Sequence, residues 1–180
     1  MLTNTQVSFL FPNDRNCPGY FVTCYAGHRR NCFVDPACVE DVTRQLLHLA
    51  EAYHFEVSAY CFMPDHVQLV LEATSVECGL SRLMGTWKQK TSGMHERSTG
   101  AKLWQSGYHD HPLMDDAERM AAIRRLLTTP LRAGLVSDLR RYRFWGSGVW
   151  DRDELLAYLS APGAAGNDAS TRRNVATTGL

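Results

Sequence analysis

The sequence has no net charge, because 19 basic and 19 acidic residues balance. It also has no apolar run of the roughly 18 residues that a membrane-spanning helix needs, and its first residues lack the basic start of a secretory signal peptide. We therefore expect a cytoplasmic protein with no membrane partner. Six cysteines are present without CxxC spacing, and several lie in apolar runs, which favours reduced thiols over a zinc or disulfide framework.

What the chain does have is an uneven distribution of charge. Between Asp35 and Glu77 there are eight acidic residues and one basic residue, whereas Arg119 to Arg143 contains seven arginines and one acidic residue. Concentrated positive charge is typical of nucleic-acid binding, and equally of a solvated surface. Charge alone leaves both interpretations open.

The apolar periodicity predicts a single α+β domain. Alternating residues predict strands at 19–26, 55–62, 66–72 and 102–111. Helical spacing predicts helices at 36–53, 76–93 and 116–128, with Asp35 and Asp115 as N-caps and Pro130 as the end of the third. The order β-α-β-β-α-β-α with right-handed crossovers predicts a ferredoxin-like plait: a four-stranded antiparallel sheet with its helices on one face.

The ends of the chain differ from this domain in composition. We expect an N-terminal extension at 1–18, the domain at 19–150 and a short helix at 151–160. Residues 161–180 are mostly small or polar and show no periodicity, so we expect a disordered tail there.

Five stretches, together spanning about 19–148, resemble a known family. They are YFVTCYAGHRRNCF, the hairpin AYCFMPDHVQLVLE, the helix LSRLMGTWKQKTSG, the segment LWQSGYHDHPL and the helix exit TPLRAGLV. In this order and spacing they resemble the single-strand tyrosine transposases of the insertion-sequence-200 type, and in particular the REP-associated tyrosine transposases. The hairpin and the helix exit are the specific parts of the match.

The resemblance implies a DNA-cutting site built on the central hairpin. In that family a His-x-His motif (HUH) and a polar side chain from the third helix bind a divalent metal, Mg²⁺ or Mn²⁺. A tyrosine one helical turn before that polar ligand attacks the DNA phosphodiester. The spacing is physically sensible, because period two on a strand and i, i+4 on a helix each place two side chains on one face.

Three of the four functional positions of the family are changed here. The first metal histidine is present as His66, but the second position holds Gln68, a poor ligand for a transition metal. Arg125 stands in place of the nucleophilic tyrosine, and Thr129 in place of the third ligand. We therefore assign no catalytic residue, and we expect a domesticated DNA-binding protein whose metal binding and nicking activity are lost or weak.

Alternatives remain open at this point. Tyr108, flanked by histidines and an aspartate, is a weak candidate for a relocated nucleophile. His66 and Gln68 are weak metal candidates, and with Asp65 they offer oxygen atoms to Mg²⁺. A third hypothesis is a protein-interaction remnant of the fold, whose basic face contacts an acidic partner.

Single-stranded or hairpin DNA is the expected partner. An arginine at position 125 can hold a phosphate by its fork of donors without attacking it. The predicted DNA-binding residues are Arg82, Lys88, Lys90, Lys102, Arg124, Arg125 and Arg132. Trp87 and Trp104 match apolar faces and are predicted to lie in the core. The resemblance allows a monomer or a homodimer, and nothing in the sequence implies an organic cofactor.

Overall fold

The computed structural model describes residues 17–160. Almost all of the predicted N-terminal extension and all of the predicted disordered tail lie outside these residues. In the part of the chain that is described, no helix is long and apolar enough to cross a membrane.

A five-stranded antiparallel sheet in the order β4-β1-β3-β2-β5 forms the centre of the molecule. The strands are β1 (Gly19–Tyr25), β2 (Phe55–Met63), β3 (His66–Ala73), β4 (His109–Leu113) and β5 (Trp145–Gly146). The first four confirm the predicted ferredoxin-like plait. The fifth strand was not predicted, because two residues are too few to show an alternating pattern.

The fourth strand is shorter than predicted. It begins at His109 rather than at 102, and earlier in that stretch Trp104 makes only an isolated bridge with Ala26. Gly107 has a φ of 68°, a left-handed conformation that interrupts an extended strand and that glycine adopts readily.

Four α-helices accompany the sheet: α1 (Pro36–Ala52), α2 (Leu80–Thr99), α3 (Asp116–Arg132) and α4 (Arg152–Ser160). The predicted N-caps are confirmed, since Asp35 accepts from the Ala37 N–H and Asp115 from the Glu118 N–H. The prediction that Pro130 ends the third helix is wrong. Pro130 lies in the last turn of α3, with two residues after it, so its missing N–H removes a single hydrogen bond at the very end of the helix.

The helices cover both faces of the sheet, which corrects the prediction of helices on one face. Helices α1 and α2 pack on the face that carries Val22 and Leu69. Helix α3 packs on the opposite face, which carries Cys61 and Val70 and is here called the α3 face. Since β2 and β3 present apolar side chains in both directions, both faces need cover.

The two tryptophans predicted to be core residues are confirmed as such. The ring centroids of Trp87 and Trp104 are 4.9 Å apart, and both side chains are buried. Their indole N–H groups donate to the Val42 carbonyl at 3.0 Å and to the Thr91 hydroxyl at 2.8 Å, so neither polar atom is left without a partner.

Candidate functional site

The candidate site lies on the α3 face at the middle of the sheet. Gln68 on β3 is opposite Thr23 of β1 and Cys61 of β2. His66 is two residues earlier on β3, so its side chain is on the same face. The hairpin between β2 and β3 therefore presents the two positions together, as the sequence spacing indicates.

Helix α3 brings a threonine directly onto this strand. The Thr129 hydroxyl lies 3.0 Å from the Gln68 side-chain oxygen and 2.9 Å from the Arg125 backbone carbonyl. One hydroxyl proton serves these two acceptors. Because Arg125 and Thr129 are four residues apart, they share a face of the helix, and Arg125 is exposed. A hydrogen bond thus joins the Gln68 side-chain oxygen to the Thr129 hydroxyl across the sheet–helix junction.

His66 is engaged by its neighbour in the chain. Its Nδ1 lies 2.7 Å from Oδ1 of Asp65, and its ring centroid lies 5.5 Å from that of Tyr25 on β1. The second carboxylate oxygen of Asp65 is 3.2 Å from the guanidinium of Arg29. Both oxygens of this carboxylate therefore have partners.

The donor set does not fit the divalent metal that the resemblance implies. It contains one imidazole, a neutral amide oxygen that already accepts from Thr129, and a hydroxyl. Transition metals in proteins prefer several imidazole, thiolate or carboxylate ligands. Within residues 17–160 no three His, Cys, Asp or Glu side chains are grouped as a metal site requires. Asp65 does not complete an Mg²⁺ site either, because it is bound to His66 and Arg29.

Arg125 and Arg132 give this edge of α3 a positive charge. The Arg125 guanidinium carbon is 5.9 Å from the Phe21 ring centroid, at the outer limit of a cation–π contact. Arg132 reaches back to the Arg125 carbonyl, at 3.5 Å. Arg124 lies instead over the ring of Tyr158 in α4, at 4.8 Å.

The predicted DNA-binding residues do not form one surface. Arg82 and Lys90 are exposed on α2, across the sheet from the arginines of α3. Lys88 has a structural contact, because its ammonium donates to the carbonyls of Gln105, at 2.7 Å, and Gly107. Burial lowers the pKa of Lys88. Lys102 is exposed beside the loop that follows β1.

Tyr108 lies on the other side of the sheet from His66. Its ring packs against the core beneath α1 and α2, and its hydroxyl is 3.2 Å from that of Ser81 on α2. His109, the next residue, is paired with Thr23 and points to the α3 face, where its ring is 5.8 Å from that of Tyr25. The structure therefore does not bring Tyr108 together with the His66 and Gln68 side chains.

Comparison with known proteins identifies the family. The family model described as "Transposase IS200 like" matches residues 18–123, more than half of the chain. The chain belongs to the IS200-like transposase family. No curated protein sequence matches it. Solved structures are also similar to this chain, among them the following two.

The first is a REP-associated tyrosine transposase bound to a REP hairpin. It has a TM-score of 0.61 and 14% sequence identity, and the alignment covers 84% of this chain and 93% of that one. The second is a Deinococcus radiodurans protein assigned as a transposase, with a TM-score of 0.47, 19% identity and coverage of 55% and 81%.

Two side chains beside the family site were not among the predicted site residues. Tyr25 contacts the rings of His66 and His109, and the Arg29 guanidinium carbon lies 3.9 Å from the Tyr25 ring centroid. Their place in the sequence could have indicated them. The basic segment GHRRN directly follows β1, and β1 is the neighbour of β3 in the plait order.

Proposed function

We propose that this member of the family binds single-stranded or hairpin DNA and does not cut it. One observation carries the proposal. Where the resemblance implies two metal ligands, Gln68 and Thr129 form a neutral pair joined by a hydrogen bond of 3.0 Å. Such a pair carries no negative charge and offers neither imidazole nor carboxylate to a dication.

The same site also has no tyrosine at the family position. Arg125 is there instead, and its guanidinium, which stays protonated, is a poor nucleophile. Its guanidinium can donate two parallel hydrogen bonds to the oxygens of a phosphate. Since Arg125 is exposed and one helical turn from Thr129, a phosphate on the α3 face would meet Arg125 first and Arg132 beside it.

A relocated nucleophile at Tyr108 is less well supported. Tyr108 contacts Ser81 on the face of the sheet opposite to Gln68, so a phosphate bound at Arg125 is out of its reach. A protein-interaction role remains the other candidate, because an acidic partner also suits exposed arginines. It differs in one measurable respect, since an acidic protein surface imposes no preference for a hairpin over unstructured DNA.

The test is an incubation of the protein with end-labelled hairpin and single-stranded DNAs in the presence of Mg²⁺ or Mn²⁺. We expect a shifted band on a native gel, stronger for a hairpin than for a random single strand of equal length. On a denaturing gel we expect no cleaved strand and no covalent protein–DNA band. A covalent band overturns the proposal, and a Tyr108→Phe variant then shows whether that residue is the nucleophile.

A further inference from the structure

The loop that follows β1 is held in an unusual backbone conformation. His28 and Arg29 have φ values of 54° and 55°, in the left-handed region that side chains other than glycine rarely enter. Two such residues in succession are costly to the folded state and persist where surrounding contacts fix them.

Those contacts are present on both sides of the loop. The Ala26 N–H donates to the Asp65 carbonyl and the Gly27 N–H to the Leu103 carbonyl, each at 2.8 Å. A Cβ on Gly27 would lie 2.9 Å from the Lys102 carbonyl oxygen, so glycine is required by close approach. The Arg30 guanidinium is held against the loop, donating to the Lys102 carbonyl at 2.8 Å and to the Gly27 carbonyl at 3.2 Å.

Arg29, by contrast, meets two side chains outside this loop. Its guanidinium lies over the Tyr25 ring and pairs with Asp65, yet its side chain is 53% exposed. The ring and the carboxylate hold the planar group in one orientation, so little freedom is lost when its open edge binds an anion. Lys102, whose carbonyl anchors the loop, adds a second exposed cation.

The position of the loop relates it to the candidate site. Tyr25, the last residue of β1, is paired with His66, and His66 is about 7 Å along β3 from Gln68 at the usual rise per strand residue. A DNA strand that contacts Arg125 and the Gln68 region, and that leaves along β3 past His66, reaches Arg29 next.

We propose that Arg29 and Lys102 bind phosphates of the unpaired DNA that flanks a bound hairpin. This inference rests on the proposed function and adds to it the part of the DNA that the loop contacts. Unpaired DNA is favoured because the rings of Tyr25, His66 and His109 are in contact beside the guanidinium. Surfaces that bind single-stranded nucleic acids typically combine cations, which contact phosphates, with aromatic side chains, on which bases stack.

The experiment compares two hairpins with the same stem and loop, one blunt and one with a single-stranded flank, by fluorescence anisotropy between about 50 and 200 mM salt. The variants are Arg29→Gln and Lys102→Gln. The matched control is Arg44→Gln, which removes another exposed arginine that is paired with an aspartate, Asp41, on α1.

We expect the unmodified protein to bind the flanked hairpin more tightly than the blunt one. Each of the two loop variants should show a smaller preference for the flanked hairpin. Its log–log salt slope on the flanked hairpin should become shallower by about 0.7, the value for one phosphate of a single strand. Arg44→Gln should behave like the unmodified protein on both DNAs.

The outcomes separate the inference from the proposed function. If the unmodified protein binds both hairpins and the loop variants match Arg44→Gln, the inference is overturned while the proposed function stands. Equal decreases in affinity for blunt and flanked DNA place the contact on the stem and also overturn it. If the unmodified protein binds neither DNA, both are wrong. Lys102→Gln removes no hydrogen bond of the loop backbone, so it remains informative if Arg29→Gln is poorly folded.

Discussion

The replacement of Arg125 by glutamine tests whether its guanidinium binds a DNA phosphate. Arg125 is exposed on α3, so removing its charge should leave the free energy of unfolding nearly unchanged. Its Phe21 contact, at 5.9 Å, is too long to contribute much. The effect should therefore appear in DNA binding alone, where the guanidinium is proposed to hold a phosphate.

The size of the effect follows from the exposure of the site. An ion pair between exposed groups contributes about 0.2–1 kcal/mol, whereas a hydrogen bond to a charged group contributes about 1.5–3 kcal/mol. Arg125 is exposed but projects from a helix whose Thr129 is fixed on Gln68, so we expect a value between these ranges, about 1–2 kcal/mol. That corresponds to a decrease of about 5- to 30-fold in affinity.

The assay is anisotropy with a labelled, flanked hairpin over a range of salt concentrations, with Arg44→Gln as the control for removal of a charge. Arg125→Gln should also flatten the salt slope by about 0.7 to 0.9 for one phosphate. Arg125→Lys should keep the slope while binding less tightly, because an ammonium lacks the planar fork. If Arg125→Gln and Arg44→Gln bind with equal affinity and equal slope, the assignment of Arg125 to a phosphate is refuted.

Two further predictions concern ionisable groups that the fold has partly buried, Glu72 and Lys88. Burial raises the pKa of the Glu72 carboxyl, although the hydrogen bond from the Ser58 hydroxyl acts to lower it. The protonated carboxyl therefore contributes to the free energy of unfolding in full below the pKa of the unfolded chain, and this contribution disappears as pH rises through the pKa of the folded protein. Glu72→Gln should therefore be more stable than the unmodified protein at pH 7, with the advantage disappearing towards about pH 4, and chemical unfolding at both pH values checks this; an equal difference at the two pH values contradicts it. Lys88→Met should lower the free energy of unfolding by about 1 kcal/mol, because two partly solvated carbonyls lose their donor. It should leave hairpin affinity close to that of the unmodified protein; a decrease as large as that of Arg125→Gln would instead assign Lys88 to the DNA.

The strand and helix pattern was accessible from the sequence because burial imposes a period on it. Strand alternation at 55–62 and 66–72 predicted the central hairpin, which the structure gives as Phe55–Met63 and His66–Ala73. Local chemistry also predicted the caps at Asp35 and Asp115. The family resemblance was likewise carried by short segments whose order and spacing need no knowledge of contacts.

The sequence predicted two features wrongly or incompletely: the end of α3 and the surface on which the basic residues lie. Proline normally ends a helix, but α3 continues for two residues beyond Pro130. The basic residues at 82–90 and at 124–132 appear as one class in the sequence, yet they lie on opposite faces of the sheet. Charge patterns identify cations without indicating which of them share a surface.

Periodicity and motif spacing are local properties, so the sequence by itself determined the α+β plait. Through the resemblance it also predicted that Gln68, Arg125 and Thr129 replace family residues. Only the tertiary structure decided which side chains these residues meet. It joined Gln68 to Thr129 across 61 residues of chain, moved Tyr108 to the opposite face, and placed Arg29 on Tyr25 beside His66. Those relations depend on which side of a sheet each segment packs, and that choice is made by the folding of the chain as a whole.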